Sequence, residues 1–158
     1  INNCGQYTLA CNIGGNYNFT HCTFANHWNY SGRSTPSILL NNYYEDANGN
    51  LVNEDLTNKK TLVVFWADYW GICREELPLL EANLAAVSQN YDVIALAHSD
   101  VDSTMTWVSE NLKGEIRIGF STSDMRDNLK IIGQPISLII DTDGNILSRE
   151  YGYVPNDL

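Results

Sequence analysis

The chain has 158 residues, with 19 acidic and 9 basic side chains, a formal charge of −10, 44% hydrophobic and 18% charged residues. That composition is globular rather than disordered, its acidity argues against a phosphate-neutralising nucleic-acid surface, and no apolar run approaches the roughly 20 residues that span a bilayer. The length suits one domain with an appendage. Composition changes along the chain: 13 of the 19 Asn and three of the four Cys fall in residues 1–60, and Arg33 is the only basic residue before Lys59. Residues 1–58 carry a net −3 and residues 59–158 a net −7. The chain therefore reads as two parts, the first Asn-rich, with a join between Gly32 and Lys60. The start at Ile1 reads as a mature product or an excised fragment, its signal or anchor removed.

In chain order, Tyr17–Ala25 alternates like a strand. Ile1-Asn-Asn-Cys4 and Phe19-Thr-His-Cys22 repeat one pattern 18 residues apart, which weakly resembles a rung of an Asn-rich parallel β-helix. One or two rungs cannot bury a core alone. From Thr61 the pattern sharpens. Thr61–Ala67 is a continuous apolar, β-branched and aromatic run, the signature of a strand buried on both faces. Asp68–Gly71 is a turn. Cys73 to about Gln89 reads as a helix with Ile72, Leu77, Leu80, Leu84 and Val87 on one stripe. Tyr91–Ala97 is a second buried strand, and Asp102 or Ser103 caps a helix to about Leu112. A short strand over Ile116–Phe120 precedes a short helix to about Lys130, capped by Ser121 or Ser123. Pro135–Asp141 is a further buried strand, and Asp143-Gly144-Asn145 turns it into an edge strand, Ile146–Tyr153. The order β-α-β-α-β-α-β-β implies an α/β fold: a mixed sheet with helices on its faces.

Four motifs in register give this order a family likeness: Phe65-Trp66-Ala67 at a strand end, Cys73-Arg74-Glu75-Glu76-Leu77-Pro78 in the helix, Gly133-Gln134-Pro135, and Asp141-x-Asp143-Gly144. Upstream, Thr35-Pro36-Ser37 and the Asp46–Leu56 hairpin fit the same scheme. Together they resemble the thioredoxin superfamily, in its TlpA/ResA-like extracytoplasmic branch, over about residues 35–158, which implies a thioredoxin-like domain there and leaves residues 1–34 as an Asn-rich β extension. The resemblance implies a thioredoxin-like fold, a cis peptide before Pro135, and thiol-disulfide exchange with a protein thiol or disulfide. It requires no cofactor. Gly152–Leu158 would begin the family's last helix, truncated here to one turn at most and leaving one sheet face open to a partner.

The departure lies in the active-site motif. The family carries two cysteines spaced C-x-x-C where a strand feeds a helix; this chain reads Trp70-Gly71-Ile72-Cys73. The first cysteine, favoured as a thiolate by the helix N-terminus, attacks a disulfide, and the second resolves the mixed disulfide. With Trp70 at the first position, a two-cysteine cycle within the motif is impossible. Cys73 is a small buried hydrophobe, a disulfide partner of Cys4, Cys11 or Cys22, or a monothiol nucleophile, and the sequence leaves all three open. The candidate site comprises Cys73, Trp70 and Pro135, with Trp66, Tyr69, Gly71, Ile72 and Gln134 as substrate-binding residues. Val64 stands where thioredoxins proper carry a buried Asp. Glu76 caps or pairs near the helix start, or else lies on a solvated face.

Two functions follow. One is a thiol-disulfide oxidoreductase weak or inactive in dithiol exchange, acting at most through Cys73. The other is a non-catalytic module binding an extended peptide or protein on the same fold. Three cysteines in a polar Asn-rich segment suit an oxidising, extracytoplasmic compartment. His21, Cys22 and His27, joined at most by His98, match no zinc spacing, so no metal is expected.

Overall fold

β-Branched and aromatic residues dominate the runs that form the centre of the sheet. In the computed structural model, which describes residues 43–152 together with Val154 and Pro155, β3 (Lys60–Trp66) and β4 (Tyr91–Ala97) pair in parallel from Lys60 against Tyr91 to Trp66 against Ala97. The Asn-rich extension, the division at residue 34, the β-helix-like repeat, Cys4, Cys11 and Cys22 all lie outside the described residues. Six of the seven residues of β3 are buried, because both of its faces are covered. Leu62, Val64 and Trp66 join Leu77, Leu80 and Trp107 on one face. Val63 and Phe65 join Leu96, Met125 and Leu138 on the other. A period of two in the chain thus divides one strand between two cores.

The remaining strands extend this pair into a seven-stranded mixed sheet ordered β2-β1-β5-β4-β3-β6-β7. β5 (Arg117–Phe120) runs parallel to β4, whereas β6 (Ile136–Ile140) is antiparallel to β3 and β7 (Ile146–Tyr151) antiparallel to β6. At the far edge, β1 (Tyr43–Glu45) and β2 (Leu51–Asn53) form a hairpin attached to β5 through Glu45 and Phe120. The two hairpins use one local device. In Asp46-Ala-Asn-Gly-Asn50 the first carboxylate accepts the N–H groups of Asn48 and Asn50, and in Asp141-Thr-Asp-Gly-Asn145 it accepts those of Asp143 and Asn145. Gly49 and Gly144 supply the positive φ, 78° and 84°, that each turn demands.

Among the described residues four helices flank the sheet: α1 (Gly71–Ala82), α2 (Leu84–Val87), α3 (Val101–Asn111) and α4 (Ser123–Leu129). The single helix expected from Cys73 to Gln89 is two. Gly71 and Ile72 already belong to its first turn, and Asn83, at φ −99° and ψ 6°, interrupts it, a bridge conformation to which Asn adapts readily. Both expected caps are corrected. Asp100 caps α3, its carboxylate accepting the N–H of Ser103, because Asp102 and Ser103 are already inside the helix. Thr122 caps α4 by accepting the N–H of Met125. Ser121 is unavailable for that role, since its N–H and hydroxyl are both spent on the Ala97 carbonyl as the chain leaves β5. Val154 is fully buried in the α1-side core; of the segment Gly152–Leu158 expected to begin a last helix, Gly152, Val154 and Pro155 are not helical, and the rest lies outside the described residues.

Gly119 in β5 shows how closely the hairpin is packed. A Cβ there would run into the Tyr44 ring and lie 3.0 Å from Leu96 Cδ2. Gly119→Ala is expected to lower stability by about 1–3 kcal/mol through overpacking. A urea-denaturation midpoint equal to that of the parent would show that the Tyr44 ring rotates away without cost.

Candidate functional site

The C-terminal ends of β3, β4 and β5 and the start of β6 converge at one end of the sheet. Chain leaving β3 makes the turn Asp68-Tyr69-Trp70, in which the Trp70 N–H donates to the Ala67 carbonyl at 3.2 Å. Trp70 is the N-cap residue of α1, with extended backbone (φ −97°, ψ 121°) and no side-chain capping bond, and the first turn of the helix carries no acidic residue. The helix therefore presents uncapped N–H groups beside the position where a thiolate would sit. Tyr69, Trp70 and Ile72 are exposed, at 60%, 45% and 40%, and Gly71 between them is open to solvent.

Cys73 points the other way. It forms no disulfide among the described residues and has no exposed surface, lying in the same core cluster as Leu77 and Trp66. Burial pushes its thiol above the usual cysteine value, and the charge of Glu76 acts in the same direction. Of the three sequence readings, this environment matches the small buried hydrophobe. A thiol so placed has little thiolate, the species that attacks disulfides.

Trp66 departs from its expected role. Its expected place is the substrate surface, yet it is fully buried. Its ring lies 5.2 Å from that of Trp107, tilted by 53°, and the Arg74 guanidinium stands 6.0 Å over the Trp107 ring. As the last residue of β3, Trp66 has its side chain on the covered α1 face and supports the site from beneath. Neither indole N–H finds a partner among the described residues. Glu76 is also corrected. Instead of capping α1 or lying solvated, its carboxylate accepts the N–H of Val154 at 2.6 Å and ties the C-terminal segment to the helix that carries Cys73.

On the opposite side of the turn, the Gln134–Pro135 peptide is cis. Pro135 is buried, and its carbonyl accepts the N–H of Gly152. The Gln134 side chain reaches across to the turn, its Nε2 donating to Tyr69 Oη at 3.1 Å. The structure thus brings Tyr69, Trp70, Gly71, Ile72, Gln134 and Pro135 to one end of the sheet, with Cys73 and Trp66 below the surface. Val64 is fully buried, so no carboxylate stands beneath Cys73 at that position.

Two further groups at this end carry no sequence signal for such a role. His98 follows β4 directly, its N–H donating to the Trp66 carbonyl. Burial, and then the positive charge of Arg126, hold its imidazole below the usual histidine value. Arg126 lies one turn into α4, and its buried Nη1 has no acceptor among the described residues. Burial lowers its guanidinium from the usual arginine value, opposed by Tyr69 and Asp127. No motif spacing announces either residue, because they arrive from separate connections.

Solved structures resembling this chain include dsbF from MTB, at 20% identity over 73% of this chain and 87% of that one, with a TM-score of 0.62. Another is StoA from Bacillus subtilis, at 18% identity over 73% and 90%, with a TM-score of 0.62. A third is the pneumococcal exposed lipoprotein thioredoxin Etrx1 from Streptococcus pneumoniae strain TIGR4, at 19% identity over 73% and 91%, with a TM-score of 0.61. No protein-family model matches the chain, and no curated protein matches its sequence. The likeness establishes a thioredoxin-like fold.

Proposed function

We propose that this chain is a relative of the thiol-disulfide oxidoreductases with an incomplete active site, Trp70-Gly71-Ile72-Cys73, that is weak or inactive in dithiol exchange. It acts chiefly by binding a protein thiol, a disulfide or an extended peptide at the face formed by Tyr69, Trp70, Gln134 and Pro135. The observation that carries this reading is the opposite placement of two residues three apart. Trp70 is half-exposed at the helix tip, whereas Cys73 has no exposed surface and a thiol raised by burial. That contrast favours the binding module over a monothiol enzyme. An extracytoplasmic location belongs to the same proposal. It is supported by the exposed lipoprotein among the structural neighbours and by the cysteine-bearing extension. No helix among the described residues is long and apolar enough to cross a membrane.

Alkylation of the native full chain with iodoacetamide, quantified at Cys73 by peptide mapping, tests the reading. Cys73 is expected to react on the order of 100-fold more slowly than in denaturant, since it must wait for local opening. Rapid native alkylation with an apparent pKa below about 7 would overturn the binding reading and establish a monothiol nucleophile.

A further inference from the structure

We propose that the face around Tyr69 and Gln134 selects extended peptides carrying an acidic side chain, whose carboxylate is held by Arg126 together with His98, Tyr69 and Gln134. This rests on the peptide-binding reading above and adds to it the chemistry of the partner.

Strand pairing brings the four residues together. Trp66 and Ala97 are register partners in β3 and β4, and Ala97 and Phe120 are partners in β4 and β5. Tyr69, His98 and the start of α4 therefore leave the sheet side by side. Gln134 enters at the same end, because Ile136 of β6 pairs with Phe65 of β3, and its bond to Tyr69 Oη closes the set. The groups that meet are donors. Arginine only donates, the Tyr69 hydroxyl keeps its own hydrogen after accepting from Gln134, the Gln134 amide holds a second N–H, and either imidazole form has an N–H to give.

Neither nearby carboxylate, Asp68 beside Tyr69 nor Asp127 beside Arg126, forms an ion pair among the described residues. The chain has 19 acidic residues against 9 basic ones, yet among the described residues Arg117 alone forms an ion pair, with Glu54 taking both of its terminal nitrogens, and Arg149, like Arg126, has a buried Nη1 with no acceptor. Arg126 has no ion pair among the described residues, and its Nη1 meets no acceptor. Asp127 follows it on α4 and acts on it electrostatically without pairing. A half-buried guanidinium left unpaired is matched best by a carboxylate, which it binds through charge-assisted hydrogen bonds. Exposed Trp70 and Ile132, the latter 85% exposed beside Gly133, offer apolar contact to the rest of an extended segment.

The test uses the full chain and fluorescein-labelled nonapeptides of alternating Ser and Val, acetylated and amidated to remove terminal charges, with a central Glu, Gln or Lys. Binding is read by fluorescence anisotropy. The Glu peptide is expected to bind about five- to tenfold more tightly than its Gln twin, and the Lys peptide more weakly than either. Arg126→Gln should erase the Glu preference, with a urea-denaturation midpoint close to the parent's showing that the variant is folded. Arg126→Lys should keep part of the preference, and Gln134→Glu should turn it toward the Lys peptide. Equal binding of the Glu and Gln peptides, or a preference that survives Arg126→Gln, overturns the acidic selectivity and leaves the peptide-binding face standing. Failure of every peptide to bind removes the peptide-binding reading and the selectivity with it.

Discussion

Trp70→Cys is expected to convert the chain into a working dithiol reductant, raising its rate of insulin-disulfide reduction with dithiothreitol by at least about 100-fold over the parent. The reasoning is local. Position 70 is the N-cap of α1, in extended backbone, at a helix start with neither a side-chain cap nor an acidic residue in its first turn. A thiol placed there faces unpaired N–H groups and the positive end of the helix dipole, which together stabilise the thiolate. That thiolate attacks the substrate disulfide, forming a mixed disulfide and releasing one substrate thiolate. Cys73, three residues on and buried, then attacks the introduced sulfur, releases the second substrate thiol and leaves an intramolecular disulfide across the motif for dithiothreitol to reduce. Cys73→Ser in the same background should trap the mixed disulfide, visible as a mass increment lost on reduction. A Trp70→Cys protein that is folded yet shows no more reductase activity than the parent would sink the assignment of this turn as a degenerate active site.

Glu81 carries the largest expected effect on stability. It is 4% exposed on α1, and its carboxylate accepts the N–H groups of Lys113, Glu115 and Ile116 at 2.6, 2.9 and 3.3 Å. It thereby satisfies the backbone of the connection between α3 and β5. Burial by itself would raise its proton affinity, but these N–H donors outweigh burial and hold the carboxyl below the usual glutamate value. Glu81→Gln keeps the shape while turning an NH2 group toward N–H donors, and is expected to cost about 2–4 kcal/mol at pH 7. The pH dependence has a definite sign. Because the folded carboxyl is the more acidic one, its contribution is full above the unfolded glutamate value, about 4.3, and is lost as pH falls through the lower folded value. Denaturant titrations of parent and variant should therefore show a gap that is wide at neutral pH and narrows in acid. A gap independent of pH would mean that the carboxylate charge contributes nothing.

Much of the fold is legible from the chain for reasons that act within a few residues. Buried parallel strands read as unbroken apolar runs, so β3, β4 and β6 stand out to within a residue or two of their ends. The two Asp-x-(Asn/Asp)-Gly-Asn turns declare themselves by carboxylate geometry and by a glycine suited to positive φ. Capping is less legible. Ser121 and Thr122 both have a suitable hydroxyl, and the choice falls to Thr122 because Ser121 is consumed by β4, a strand more than twenty residues away in the chain.

The site divides along the same line. By itself the sequence determined that the motif holds one cysteine and a tryptophan, hence that no two-cysteine cycle can run within it; residue identity and spacing suffice for that. Only the tertiary structure decided that Trp66 is inside and Trp70 outside, although they lie four residues apart in one short stretch. The first ends a strand covered by α1 and Trp107, and the second caps a helix facing solvent. Tertiary structure likewise decided that Cys73 is sealed in the core, that Glu76 holds Val154, and that Gln134 bonds Tyr69 at the end of the sheet where His98 and the β5–β6 crossover bearing Arg126 also emerge. Those four come from three separate crossovers, and their placement depends on strand order and register, which the period of a sequence does not encode.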